Sequence, residues 1–257
     1  MADALPVLAA KAIHASSMAR HGLRTGVIAF LHTFNGELEF NSHVHTMVTA
    51  GGWHASSGSW VGSVYHEQGL LTRLWRKAVL ELLRTALRSG VPITDKAAHE
   101  MEALFDAQER WWSVKIKPVY SVEHFFEYGG RYARRPVIAQ RRITYIGERS
   151  VQFWAKDKRS GKIVQICCSL VNFIDRLGQH IFKRYKHAVR YFGLFAPRAV
   201  NQMFDPIFAA IGYKRLPRPT PPRWAESRKQ MLGGQDPLLD RTGQRMNWVR
   251  RLAPQPS

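Results

Sequence analysis

The chain has 257 residues, with 38 Lys+Arg against 19 Asp+Glu, a formal net charge of +19 and a pI near 10.5. With 45% apolar residues it can bury a core, and so basic a surface asks for a polyanion; nucleic acid is the usual one, because neutralised phosphates release counterions, with acidic lipid or no polyanion as the competing readings. The two cysteines, Cys167 and Cys168, are neighbours, which excludes a disulfide framework and a cysteine zinc site, and no long apolar run or secretory signal is present, so a cytoplasmic chain with no membrane partner is expected.

Residues 4–22 read as an incomplete helical entry, with Leu5, Val7, Leu8, Ala12 and Ile13 apolar. Residues 26–34 are β-rich, and 37–50 alternate. Asn35-Gly36 between them predicts an antiparallel hairpin, central in a sheet. Residues 51–66 are rich in Gly, Ser and Trp and read as a loop. A helix is expected over 68–88, from the spacing of Leu70, Leu71, Leu74, Ala78, Leu82 and Ala86, with Gly90 as its stop. Thr94 or Asp95 is expected to cap a second helix ending near Trp111, and 112–120 to form a strand.

Ser121 suits the cap of a helix over 122–135, which Pro136 ends. Strands follow at 142–147, 150–156 and 162–167, then a helix from Ser169 to about Phe182 and an apolar run at 188–195. The prolines at 217, 219, 221 and 222 and Gly233-Gly234 mark a flexible basic tail.

Two pairs of residues carry chemistry. His43 and His45 are one residue apart on a predicted strand, so their side chains share a face, with backbones about 7 Å apart. Asn41 and Met47 share that face, while Phe40, Val44 and Val48 point toward a core. Such a pair can converge on a cation or remain two solvated strand histidines. Tyr128 and Tyr132 lie one turn apart on the helix face that also carries His124, Arg131 and Arg135; the opposite face is the apolar stripe Val122, Phe125, Phe126, Gly129, Ala133. A phenol with an ordinary pKa near 10 is a poor nucleophile at neutral pH, but a cation and a guanidinium beside it would stabilise the phenolate and charge developing on a phosphate. The alternative is an amphipathic helix with surface aromatics.

Taken together the pairs resemble the His-hydrophobic-His endonucleases: a strand with two histidines, then, further on, a helix with Tyr-x-x-(Lys/Arg)-Tyr. The segments FNSHVHTMVTAGG, YGGRYARRPVIAQRRI and RYFGLFAPR resemble, in order, the two-tyrosine rolling-circle transposases of bacterial insertion sequences, from about Arg24 to Arg198. That resemblance implies a Mg²⁺ or Mn²⁺ ion on His43 and His45. It implies Tyr128 and Tyr132 as the nucleophiles, with Arg131 at the basic position of the motif. It also implies a 5′-phosphotyrosine intermediate, single-stranded DNA at the element ends and target as partner, and no nucleotide cofactor.

Relatives of this kind begin with a cysteine-rich zinc domain, and this sequence shows none. Asn41 and His124 are the candidates for a third ligand. Gly129-Gly130 either loosens the tyrosine helix or lets a DNA backbone approach closely. Arg134, Arg135, Arg141 and Arg142 form a basic cluster expected to contact DNA; Lys183, Arg184, Lys186 and Arg190, interleaved with Tyr185 and Tyr191, form a second. The expected fold is α+β: a ferredoxin-like palm with a central antiparallel sheet over 20–140. A helical segment at 1–19 precedes it; a β-hairpin and helix module at 141–213 and a flexible basic tail at 214–257 follow. The leading function is a metal-dependent tyrosine endonuclease and strand transferase of DNA transposition. The alternatives are a plasmid-type replication initiator or relaxase, an inactive DNA-binding remnant, and an RNA-binding module.

Overall fold

The computed structural model describes residues 2–90, 112–133, 136–157, 160–217, 220, 222–240 and 242–246. Met1–Lys214 form one compact unit and Arg215–Ser257 a second. The first is α+β, as expected, and its described strands form three antiparallel sheets of three strands each.

The sheet that positions the candidate site has β2 (Gly26–Phe34) in its middle, flanked by β3 (Phe40–Val48) and β9 (Val189–Gly193). The register pairs Val27 with Val48 and Phe192, and these join Ala10, Ile13 and Leu71 in one core. Helix α1 (Leu5–His21) and helix α2 (Gln68–Arg88) supply those last residues, so they cover this face. Nearly all of β2 is buried because both its faces are covered. The other face carries Ile28, Phe30, His32, His43, His45 and Met47. Although β9 falls in the stretch 141–213 expected to form a separate module, it pairs with β2.

The third sheet is β6 (Ile143–Ile146), β7 (Ser150–Lys156) and β8 (Ile163–Ser169), followed by α4 (Leu170–Gly178). Ser169 caps this helix by accepting from the Asn172 amide at 3.2 Å. The helix stops at Gly178, earlier than Phe182. Val151, Phe153 and Ala155 of β7 pack on Phe173 of α4 and on Leu38, from the loop between β2 and β3. Leu38 is 0% exposed and sits at φ +63°, a conformation that costs a branched side chain about 1–2 kcal/mol. The surrounding polar contacts hold it there. Arg142 donates to the Gly36 carbonyl, Arg176 to the Glu37 carbonyl at 3.1 Å, and His180 Nε2 to the Leu38 carbonyl at 3.2 Å. Three consecutive loop carbonyls are thus captured by the turn before β6, by α4 and by the segment that follows it.

Several expectations are corrected. The stretch 51–66 holds a short hairpin, β4 (Gly52–His54) and β5 (Ser59–Val61), with β1 (Leu23–Arg24) on its edge. Trp53 faces Trp60 across it and packs on Leu194 and Ile207. Residues 112–120 form no strand: Pro118 lacks a donor, and no described strand pairs with them. Phe40 is exposed and stacks on His180, with ring centroids 6.3 Å apart, rather than entering the core. Helix α5 (Pro197–Ala210) gives no clear sequence signal because Pro206 interrupts it, yet Pro197 starts it and Ile207 buries its face. The tail expected to be flexible carries α6 (Trp224–Met231), whose Glu226 accepts from the Arg223 amide at 2.9 Å, and a bridge between Leu239 and Arg245. The helix expected between Thr94 or Asp95 and Trp111 lies outside the described residues.

Candidate active site

Helix α3 (Val122–Ala133) lies against the histidine-bearing face. Ser121 caps it, accepting from the His124 amide at 3.2 Å. Gly129 allows the approach: a Cβ there would stand 3.1 Å from the Met47 sulfur of β3, whereas a Cβ on Gly130 would meet open space. The first of the two glycines thus sits in tight contact with Met47, and the helix is continuous through both.

Three histidines converge beneath α3. His32, His43 and His45 each offer one ring nitrogen, and these atoms lie within 4.8 Å of one another. Ring centroids are 5.5 Å apart for His32 and His43, 5.1 Å for His32 and His45, and 5.0 Å for His43 and His45. His43 and His45 are brought together as expected. The third member, His32, comes from β2 and is 4% exposed. It faces His43 directly, through a register shift between His32 and Phe34. Neither sequence candidate for the third position belongs to this triad: Asn41 offers its carbonyl to His43, and His124 is exposed on α3.

Hydrogen bonds assign the ring protons. A carbonyl only accepts, so His43 donates from Nδ1 to Asn41 at 2.8 Å, and in the neutral ring the lone pair is then on Nε2. His32 donates from Nε2 to the Tyr132 carbonyl at 3.1 Å, with its lone pair on Nδ1. His45 Nδ1 is 3.3 Å from the Tyr128 hydroxyl, and its ring lies 3.8 Å from that of Tyr132. The two tyrosine rings are 4.4 Å apart. Burial first, then the neighbouring Tyr132, holds the Tyr128 hydroxyl above the ordinary tyrosine value.

Among the basic residues, Arg131 is exposed on α3 and Arg141 is exposed in the turn before β6. Arg142, expected at a DNA surface, instead turns inward: Nε donates to the Trp154 carbonyl at 2.7 Å, and the same guanidinium holds Gly36. Arg134 and Arg135 lie outside the described residues. The second basic cluster divides. Arg190 donates to the Asp3 carbonyl at 2.7 Å and Lys186 pairs with the Asp3 carboxylate at 3.9 Å, while Arg184 lies over the Tyr185 ring.

A chain with this hairpin, histidine triad and tyrosine helix matches a family model described as "Putative transposase" (Y2_Tnp) over residues 26–203. The match covers more than half of the chain, and the chain belongs to that transposase family. It is 30% identical over 210 residues to the transposase for insertion sequence element IS801 of Pseudomonas savastanoi pv. phaseolicola, covering 79% of this chain and 50% of that protein. It is also 30% identical over 198 residues to "Putative transposase y4qJ" of Sinorhizobium fredii (strain NBRC 101917 / NGR234), covering 71% of this chain and 49% of that protein. The chain thus spans about half the length of these curated relatives. No solved structure matches it. Among the described residues, no helix is long and apolar enough to cross a membrane.

Proposed function

We propose that this chain cuts single-stranded DNA by tyrosine attack and passes the cut strand on, with a divalent cation held by His32, His43 and His45. The observation that carries the reading is the meeting of three imidazoles and two phenols from separate elements at one place. The donor chemistry fits a cation. His32 and His43 are oriented by carbonyls, the outer-shell arrangement that fixes which nitrogen is the ligand. Three imidazole nitrogens suit Mn²⁺ better than Mg²⁺, which prefers oxygen. When bound, such a cation polarises the scissile phosphodiester.

The protein groups do the rest. His45 would hold the cation through its other ring nitrogen, and its Nδ1, 3.3 Å from the Tyr128 oxygen, would then carry a proton to donate there. That bond favours the phenolate and opposes the burial that raises the Tyr128 pKa. The phenolic oxygen attacks phosphorus, forming a 5′-phosphotyrosine bond as the bond to the 3′ oxygen breaks. The proton lost by the phenol is balanced by the one gained at the 3′ hydroxyl, so no nucleotide cofactor enters. Tyr132 stands close enough to hold or make a second cut while Tyr128 keeps the first end. Arg131, with Arg134, Arg135 and Arg141, supplies cations for the DNA backbone.

The test is a covalent-adduct assay with labelled single-stranded DNA from the element's flanks, Mn²⁺ or Mg²⁺, and a denaturing gel. A metal-dependent shifted band that vanishes in the Tyr128→Phe/Tyr132→Phe double variant and in His43→Ala is expected. Tight DNA binding by the folded chain without adduct under either metal would overturn the proposal in favour of an inactive DNA-binding remnant.

A further inference from the structure

The outer face of the third sheet is built unlike an ordinary solvated face. Residues Val151, Phe153 and Ala155 of β7 point inward, so Gln152 and Trp154 point outward. Gln152 lies between Tyr145 of β6 and Cys167 of β8, and Trp154 faces Gln165 of β8. Trp154 is 41% exposed and Tyr145 51%, large aromatic areas to leave in water on a sheet whose other side has a full core.

The polar groups between them are fixed. Gln165 Nε2 donates to Gln152 Oε1 at 2.8 Å and lies 3.4 Å from Thr144 Oγ1, and Thr144 in turn donates to the Gln152 carbonyl at 3.2 Å. This leaves the Gln165 Oε1 as an acceptor and the Gln152 Nε2 as a donor for a ligand. Gly147 leaves room for the Tyr145 ring, since a Cβ there would stand 2.8 Å from its Cε1. The strand ends carry Lys156, Lys162 and Arg149, with Arg141 exposed in the turn before β6. The acidic groups nearby are Glu148 and Asp157, and the Asp157 carboxylate is engaged by Ser160.

We propose that this face is a binding platform for single-stranded DNA, on which unpaired bases stack against Trp154 and Tyr145 and are read by the Gln152–Gln165 amides. Aromatic faces take bases of any sequence, provided that they are unpaired, while flanking cations track the phosphates. Tyr145 and Trp154 are diagonal neighbours on adjacent strands, a placement that in a regular ladder sets residues about 7–8 Å apart, with the register shift between Ile143 and Tyr145 lying between them. That spacing exceeds the ~3.4 Å repeat of a stacked strand, so the face suits two bases drawn apart in an extended chain. A duplex, whose bases are already stacked and paired, gains nothing from it. The proposal rests on the reading of the chain as a single-strand nuclease and adds a second place, away from the histidine triad, where the strand is held.

Fluorescence anisotropy of the full chain with labelled single-stranded DNA, in EDTA and at fixed salt, tests it. Trp154→Ala is expected to weaken single-strand binding roughly 5- to 150-fold, the loss of one stacked base. Trp154→Phe should retain most of the affinity, and binding of duplex of the same sequence should be unchanged. Unchanged single-strand affinity in Trp154→Ala, or equal losses for single strand and duplex, would overturn the platform. Photocrosslinking of the unmodified chain to oligonucleotides carrying 5-iododeoxyuridine needs no variant: crosslinks are expected on residues 143–156 or 163–169, and crosslinks confined to other segments would overturn it. The adduct assay reads the nuclease separately. Adduct formation with unimpaired binding by Trp154→Ala sinks the platform alone, and weakened binding by that variant without any adduct sinks the nuclease alone.

Discussion

Leu38 offers a sharp test of how the third sheet supports the histidine hairpin. Its side chain is fully buried among Val151, Phe153, Ala155 and Phe173, and its backbone is left-handed. Removing a buried leucine side chain to alanine costs about 2–5 kcal/mol. Alanine keeps the left-handed penalty of about 1–2 kcal/mol, whereas glycine escapes it at an unfolded-chain cost of about 0.5–1 kcal/mol. Leu38→Gly should therefore be as stable as Leu38→Ala or better by up to about 1.5 kcal/mol, the reverse of the usual order. Urea unfolding followed by circular dichroism should show both midpoints lowered by about 1 M or more for slopes near 2 kcal/mol/M. Because the loop carbonyls of Gly36, Glu37 and Leu38 are held by the turn before β6, by α4 and by the segment that follows it, Mn²⁺ affinity should fall as well. A wild-type midpoint in Leu38→Ala, or an alanine variant clearly more stable than the glycine one, would refute this account of the docking.

Gly130→Ala should stabilise α3 by about 0.5–1 kcal/mol, while Gly129→Ala, facing Met47, should destabilise it, as read by thermal unfolding. If Gly130→Ala is stable but loses DNA cutting, Gly130 marks a close approach of the DNA backbone. His32→Ala should lower Mn²⁺ affinity beyond the 10- to 100-fold typical of losing an outer-shell partner, and titration calorimetry showing wild-type binding would remove His32 from the site. Burial lowers the pKa of His14 and of His66, where His21 and His14 add to the effect, so folding favours the neutral rings. The stability they contribute is full above the ordinary value of 6.5 and is lost as pH falls below it toward the lowered folded values. Stability against pH between 7 and 5 should fall less steeply in His66→Leu than in the unmodified chain.

Much of the chemistry was readable from local pattern. His43 and His45 share a face because strand side chains alternate, and Tyr128 and Tyr132 share one because a helix turns in 3.6 residues. Neither fact needs the rest of the chain. The hairpin was signalled by Asn35-Gly36, and Asn35 Oδ1 does organise the loop, accepting from the amides of Glu37 at 2.8 Å and Glu39 at 2.9 Å. Its register was not readable. A two-residue turn at Asn35-Gly36 would set His32 opposite Glu39, whereas the longer loop and shifted register set it opposite His43.

Arg142 shows the same limit from the other side. A charge run in sequence does not say which of its members faces water, and this one is drawn inward by carbonyls that only the folded chain brings near. Sequence by itself determined the basic character, the α+β pattern and the two residue pairs, because each depends on composition or on neighbours a few positions away. Only the tertiary structure decided the third histidine, the packing role of Gly129 and the pairing of β9 with β2. Each of those depends on which distant segments meet, and local periodicity carries no record of that.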